Sequence, residues 1–236
     1  EQGDVIVETI QDIISKSESD SIGLCFPGIK NDRGVVIMAN GPRIPDLLER
    51  IQGIDSILHD SDCCVLGEWK STVGKLQNCD NAVYIGGGTG IADGIILMGI
   101  MIDFNEMDNV KRSWELKMPS GQTIESCLSP KGMINQWNLS KKEKVKTLDQ
   151  LSKNKNADTI FEKAAEAFLF LIQNRARFFK ANHAKIEKIV IGQRLGIFMA
   201  DSKLISLLES NTDIPLDYST DRRTAALGAA WKRICS

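Results

Sequence analysis

The sequence is poor in the residues from which zinc modules and disulfide-bonded domains are built. It has two histidines, His59 and His183, and its six cysteines are scattered without a Cys-x-x-Cys pair. Zinc modules need Cys or His ligands paired at short spacing, so we expect no structural zinc site. Free thiols buried in a protein of the reducing cytoplasm are the simplest interpretation of these cysteines.

Long apolar runs and an excess of charge of one sign are also lacking. The longest apolar run, Gly94 to Ile102, is too short to cross a bilayer, and no signal-peptide pattern follows Glu1. The formal net charge of −2 gives no indication of binding to nucleic acid or to an anionic membrane. We therefore expect neither of these partners.

The chain does have enough apolar sequence for a core, since 42% of its 236 residues are hydrophobic. This size fits one large domain or two small lobes. Short apolar strands alternate with helical patterns, and the longest helical pattern runs from Asp158 to about Ala184 with a broad apolar stripe. The strands Ser21–Phe26 and Val35–Met38 predict a hairpin, and residues 140–156 predict an exposed helix followed by a linker.

The most distinctive stretch is AVYIGGGTGIADGIILMG, residues 82–99. An apolar strand runs into four glycines interrupted by Thr89, and a second apolar strand follows at once. Glycine permits positive φ and close approach to the backbone, so the N–H groups of such a turn suit a phosphate. A plain hairpin with a glycine bulge explains the same residues. The stretch lacks the lysine of a Walker A loop and the helix of a Rossmann turn.

A polar group, HDSD at 59–62, marks a second candidate site. It reads as the end of a strand leading into a helix, with Ser61 or Asp62 as the cap. Capping alone explains an aspartate at this place. The group also brings two carboxylates and a histidine to the carboxyl end of a strand, where ligand sites of α/β sheets gather.

Taken together, these segments resemble the ROK family of sugar kinases, within the actin-like ATPase superfamily. The resemblance covers most of the chain, and the order and spacing of six segments agree with the family. Those segments are IGLCFPGIKNDRGVV (22–36), Asn40, HDSDCCVLGE (59–68), GGGTGIADGIILMG (86–99), VIGQRLG (190–196) and TAALGAAW (224–231).

This resemblance implies an α/β protein with the two-lobed actin-like ATPase (ribonuclease H-like) fold. Residues 1–80 would be the remainder of an N-terminal sugar-binding lobe, and residues 81–236 a C-terminal nucleotide-binding lobe with the long helix 158–184. The family's first phosphate motif, Asp-x-Gly-Gly-Thr, has no counterpart in this sequence, so the N-terminal lobe is expected to be incomplete. The resemblance also suggests a homodimer.

The resemblance assigns site residues by position. Asp60 matches the catalytic aspartate, which accepts the proton of the sugar hydroxyl. The positions that match the family's sugar-binding residues are Asn40, His59, Glu115 and Glu125. Those that match its nucleotide-binding residues are Gly87, Gly88, Thr89, Gly90 and Gly192, with ATP as donor and Mg²⁺ on its phosphates.

Two departures from the family change these expectations. Met118 stands where zinc-binding members have a histidine, and their cysteine cluster is absent, so we expect no zinc. Asp93 stands where members have a glycine, and a carboxylate beside the phosphates would repel them unless it faces away or a metal intervenes.

The expected function is therefore phosphorylation of a hexose, an amino sugar or a sugar-like cyclitol. The alternative is a catalytically degenerate ROK-type protein that senses sugars or serves as a scaffold. Asp60 and the glycine turn favour the kinase, whereas Asp93 and the missing first motif favour the degenerate protein. Another actin-like ATPase with a different acceptor is a third, weaker interpretation.

Overall fold

The computed structural model describes residues 2–30, 33–37, 42–107, 109–200 and 202–234, and it is a mixed α/β structure, as predicted. Its helices are α1 (Gln2–Ser15), α2 (Leu47–Arg50), α3 (Asp60–Lys70), α4 (Ile124–Leu128), α5 (Pro130–Ser140), α6 (Leu148–Ser152), α7 (Asp158–Ala181), α8 (Gln193–Met199), α9 (Lys203–Glu209) and α10 (Thr224–Ile234). Its strands are β1 (Gly23–Cys25), β2 (Ile29–Lys30), β3 (Val35–Ile37), β4 (Ser56–Leu58), β5 (Ala82–Gly87), β6 (Ile91–Leu97), β7 (Ile100–Met101), β8 (Lys188–Gly192) and β9 (Leu216–Tyr218). A 3₁₀ turn covers Ser113–Glu115.

A five-stranded sheet in the order β7-β6-β5-β8-β9 forms the centre of the second lobe. Strands β5 and β6 are antiparallel and are joined by the glycine turn, whereas β8 and β9 run parallel to β5. Every residue of β5 is buried, because helices cover the sheet on both sides. The sequence therefore places its glycine turn at the same sheet edge as the carboxyl ends of β5 and β8.

The two faces of this sheet pack against different helices, because successive side chains of a strand point to opposite sides. Val83 and Ile85 belong to the large core that also contains the apolar stripe of α7. Tyr84 and Val190 belong to a smaller cluster with Cys64 and Val65 of α3. The glycine turn therefore lies at the edge of a sheet sandwiched between α7 and α3.

The first lobe contains two small sheets and a core of its own. Strand β1 pairs in parallel with β4, and β2 pairs with β3 in an antiparallel arrangement. Helix α10, the last in the chain, packs against β1, β4 and α3. Together, α3 and α10 connect the first lobe to the five-stranded sheet.

Three expectations from the sequence need correction or addition in detail. The predicted hairpin of 21–26 with 35–38 does not form, because β1 pairs with β4 and the hairpin is built from β2 and β3. The segment 140–156 is mainly exposed, as predicted, but Val145, Leu148 and Leu151 enter the large core. Helix α7 ends at Ala181, where Asn182 caps it, rather than at residue 184.

Candidate functional site

The glycine turn presents two backbone N–H groups for which the described part of the chain offers no acceptor. Gly88 donates its N–H to the carbonyl of Gly90 at 3.0 Å, which closes the turn. Among the described residues, the N–H groups of Thr89 and Gly90 have no hydrogen-bond acceptor. Thr89 is exposed and Gly90 half-buried, so both donors are accessible to an anion.

Contacts within the protein already require glycine at several positions of this region. A Cβ on Gly87 would lie 2.6 Å from the Cβ of Leu195, and a Cβ on Gly192 would overlap the Tyr84 hydroxyl. A Cβ on Gly90 would overlap the carboxylate of Glu125. Gly87 and Gly192 therefore permit close packing of α8 and Tyr84, independently of any nucleotide role.

Asp60 is the first residue of α3, and His59 directly precedes the helix. The expected cap residues, Ser61 and Asp62, lie inside the first turn rather than at its start. One carboxylate oxygen of Asp60 accepts the N–H of Ser61 at 3.0 Å. Asp60 and His59 are both half-buried, so solvent reaches the carboxylate at the end of the helix.

Two side chains connect Asp60 with the glycine turn on the α3 side of the sheet. Cys64 lies one helical turn after Asp60, and its Sγ lies 3.7 Å from Nε2 of Gln193, whose side chain lies against Gly88. Tyr84 lies two residues before Gly86, and an added Cβ on Gly86 would contact the tyrosine ring. Asp60 therefore begins the helix that covers the Tyr84 face of the sheet, and Cys64 and Tyr84 of that face reach the glycines of the turn.

Both connecting side chains are neutral. Burial raises the pKa of the Cys64 thiol to about 12. Burial also raises the pKa of Tyr84 well above its usual value, and the neighbouring thiol adds to the effect. An apolar environment disfavours the charged form of each group, so the region between Asp60 and the turn carries no further negative charge from these two.

The two glutamates expected to bind substrate occupy different surroundings. Glu125, in the first turn of α4, accepts the N–H of Ile91 at 3.2 Å and so lies beside the glycine turn. Exposed Glu115 accepts the N–H of Arg112 at 2.8 Å and closes its own 3₁₀ turn. Asn40 lies outside the described residues.

Asp93 faces away from the candidate phosphate site. Its side chain points to the α7 side of the sheet, where it is buried against Arg175 with 2.7 Å between carboxylate and guanidinium. Its second oxygen accepts the N–H of Ser113 at 2.8 Å. Arg175 also donates to the carbonyl of Lys111. The conflict between Asp93 and bound phosphate that the sequence raised is thereby removed.

Among the described residues, no group of three or more His, Cys, Asp and Glu side chains is arranged to hold a metal ion. No helix in the described part of the chain is both long and apolar enough to cross a membrane.

No protein-family model matches the chain, and no curated protein matches it. Solved structures do match. The ROK hexokinase from Thermus thermophilus superposes with a TM-score of 0.75 at 18% identity, over 100% of this chain and 87% of that one. The chain has the ROK sugar-kinase fold.

Two further structures with the ROK fold differ in function. One is a ROK glucokinase from Streptomyces griseus in complex with glucose and AMPPNP, with a TM-score of 0.70 and 13% identity over 99% of this chain and 88% of that one. The other is a ROK transcriptional regulator described as a homolog of the E. coli MLC protein, with a TM-score of 0.69 and 17% identity over 98% of this chain and 68% of that one. The ROK fold therefore occurs in both kinases and regulators.

Three residues at the candidate site, Cys64, Tyr84 and Gln193, have no role that the sequence predicts. Tyr84 belongs to an apolar strand, and Gln193 stands within the motif VIGQRLG. Cys64 and Gln193 are separated by 129 residues, so nothing local in the sequence indicates their contact.

Proposed function

We propose that the protein transfers the γ-phosphoryl group of ATP to a hydroxyl of a sugar or a sugar-like cyclitol. The observation that supports the proposal is the contact of Cys64, one helical turn after Asp60, with Gln193, whose side chain lies against the glycine turn, in the fold of the ROK kinases. Phosphoryl transfer depends on positioning and on charge stabilisation. A carboxylate and an anion-binding turn near each other meet these two needs.

Asp60 is the proposed general base. Its half-buried carboxylate at the start of α3 accepts the proton of the attacking hydroxyl. His59 is well placed to hold a neighbouring hydroxyl of the acceptor, and Glu125 lies at the edge of the turn. Glu115 and Asn40 remain predicted sugar ligands on the strength of the resemblance.

The donor's phosphates are proposed to bind at the glycine turn. The N–H groups of Thr89 and Gly90 have no acceptor among the described residues, and two adjacent donors suit a phosphate oxygen. Mg²⁺, when bound to the phosphates, neutralises part of their charge and keeps several of its waters. The carboxylate of Glu125, which accepts the N–H of Ile91 beside the turn, could accept hydrogen bonds from those waters.

A screen of sugars and cyclitols tests the proposal, with ADP release measured on the full-length protein. We expect Asp60→Asn to lower the turnover of an accepted substrate at least about a hundredfold, while calorimetry shows nearly unchanged nucleotide binding. Asp62→Asn removes a carboxylate from the same helical turn and should retain most of the turnover. Equal activity of Asp60→Asn and the wild-type protein would contradict the assignment.

The alternative is a sugar-sensing protein without kinase activity, and the similarity to a ROK regulator supports it. Calorimetry with the compounds of the same screen distinguishes the two functions. A sensor binds a sugar but releases no ADP with any acceptor, whereas a kinase shows both.

A further inference from the structure

Gln193 has a backbone conformation that points to a special role. It follows β8 directly and has a φ of 58°, in the left-handed region that glycine occupies readily and other residues rarely. Three other non-glycine residues of the described chain have positive φ, namely Asn78, Met98 and His183. Those three lie in exposed turns, whereas Gln193 is half-buried. Unfavourable backbone conformations that persist inside a structure concentrate at functional sites.

The side chain of Gln193 extends over the glycine turn. A Cβ added to Gly88 would lie 3.2 Å from its Oε1, and a Cβ added to Gly86 would lie 3.2 Å from its Cδ. The amide therefore lies against the glycines that precede the two unused N–H donors of Thr89 and Gly90.

Within the described residues, the amide has one weak partner. Its Nε2 lies 3.7 Å from the Sγ of Cys64, and a thiol is a weak hydrogen-bond acceptor. Burial raises the pKa of this thiol to about 12, so the thiol keeps its proton at neutral pH and can also donate. When the amide flips so that Oε1 and Nε2 exchange positions, the thiol can donate to Oε1 and the NH₂ group points towards Gly88.

We propose that Gln193 is a phosphate-binding residue, whose NH₂ group donates to the polyphosphate chain of a nucleoside triphosphate held at the glycine turn while the Cys64 thiol holds its oxygen. The inference rests on the proposed function, because it needs a nucleotide at that turn. It explains the left-handed backbone, since this conformation turns the side chain back over the glycines. A neutral amide adds a donor for the anion without adding a charge.

Calorimetry with AMPPNP and Mg²⁺ on the full-length protein tests the inference. Loss of a hydrogen bond to a charged group should weaken binding about tenfold in Gln193→Ala. Gln193→Glu should weaken it further, because a carboxylate of the same shape repels phosphate. Binding of adenosine, which lacks phosphates, should be unchanged in both variants. Gln173→Glu makes the same substitution at an exposed position on α7 and should bind AMPPNP like the wild-type protein.

Gln193→Gly separates the lost contact from damage to the fold. Glycine adopts the left-handed conformation without strain, so this variant should melt no earlier than the wild-type protein and still bind AMPPNP about tenfold more weakly. Wild-type affinity in Gln193→Gly and Gln193→Glu would overturn the inference and leave the proposed function standing. Tighter binding in Gln193→Ala would overturn it as well, since the amide would then obstruct the site. A wild-type protein that binds no AMPPNP would overturn the proposed function and this inference together.

Discussion

At the scale of single residues, the buried ion pair of Asp93 and Arg175 is the main departure from an apolar core. Both side chains are fully buried, and Asp93 also holds the backbone of Ser113 while Arg175 holds that of Lys111. Burying two charges is costly unless each is paired and hydrogen-bonded. The pair meets this condition and fastens the segment before the 3₁₀ turn to β6 and α7.

Removal of one charge of this pair should destabilise the protein strongly. Asp93→Asn leaves the Arg175 cation buried without its counter-ion, which costs about 3–5 kcal/mol, measurable by urea unfolding. The double variant Asp93→Leu with Arg175→Met should recover much of the loss, because an apolar pair needs no compensation. Asp12→Asn breaks the exposed pair with Lys16 and should change the free energy of unfolding very little. Equal effects of the buried and exposed substitutions would contradict this account.

Glu68 is a buried carboxyl whose charge works against folding. It lies on α3 with no exposed surface, its Oε2 accepts the N–H of Lys75, and the hydroxyl groups of Ser219 and Thr224 also interact with it, which opposes the effect of burial without cancelling it. Burial raises the pKa of Glu68 above its usual value. Between the unfolded and the folded pKa the folded state binds the extra proton, so stability falls as pH rises through that window.

Glu68→Gln should therefore raise the melting temperature at neutral pH and change it little near pH 4. Glutamine has a similar shape and keeps an acceptor for Lys75, but it carries no charge at any pH. Thermal melts of both proteins between pH 4 and pH 8 test this, since the difference between the two curves should grow with pH. A constant difference would show that the substitution acts through packing alone.

At the scale of elements, α3 and α10 approach each other more closely than side chains normally allow. A Cβ on Gly228 would overlap the carbonyl of Cys63, and a Cβ on Gly67 would overlap that of Thr224. The small residues of α10 thus let two backbones meet, and α3 carries Asp60 at its end. The position of the proposed base therefore depends on this helix pair.

Gly228→Ala should push the two helices apart. We expect a loss of about 1–3 kcal/mol, as for overpacked cores, together with lower turnover because Asp60 is displaced. Gly3→Ala is the matched control, since the same substitution in helix α1 meets only an ordinary contact with Ile44. That variant should unfold at the same denaturant concentration or slightly higher. If Gly228→Ala behaved like it, the close approach of the helices would not matter for stability.

At the scale of the whole molecule, the sequence predicts the parts of the fold that local patterns encode. The apolar periodicity of α7 and the glycine-rich composition of the turn are both visible in the sequence. The structure has both elements where the sequence predicts them. Arg175 is the one buried cation of α7, and its partner Asp93 lies 82 residues away, so no local pattern predicts their pairing. The pairing of β1 with β4 joins two strands of three residues each, which are too short to specify their neighbour.

The same reasoning applies to the candidate site. Asp60 and the turn were predicted from their segments, whereas the contact of Cys64 with Gln193 depends on how α3 packs against the sheet. Packing of that kind arises from the whole core rather than from any local window. The residues between two predicted site elements are therefore the ones that sequence patterns predict least.

The arrangement of the two lobes leads to a last prediction, on coupling between the two substrates. Asp60 begins α3, which packs against β5, β6 and α10, and α10 in turn packs against β1 and β4 of the first lobe, while the glycine turn joins β5 to β6. A sugar at Asp60 and a nucleotide at the turn would each favour the same closed arrangement, which excludes water.

We expect an accepted sugar to tighten AMPPNP binding at least about fivefold, and AMPPNP to tighten sugar binding by the same factor, because such coupling is reciprocal. Calorimetric titrations of each ligand with and without the other measure both factors. A sugar that is not phosphorylated provides the control, and it should leave AMPPNP affinity unchanged. Independent binding of the two substrates would mean that the lobes do not close around them as one unit.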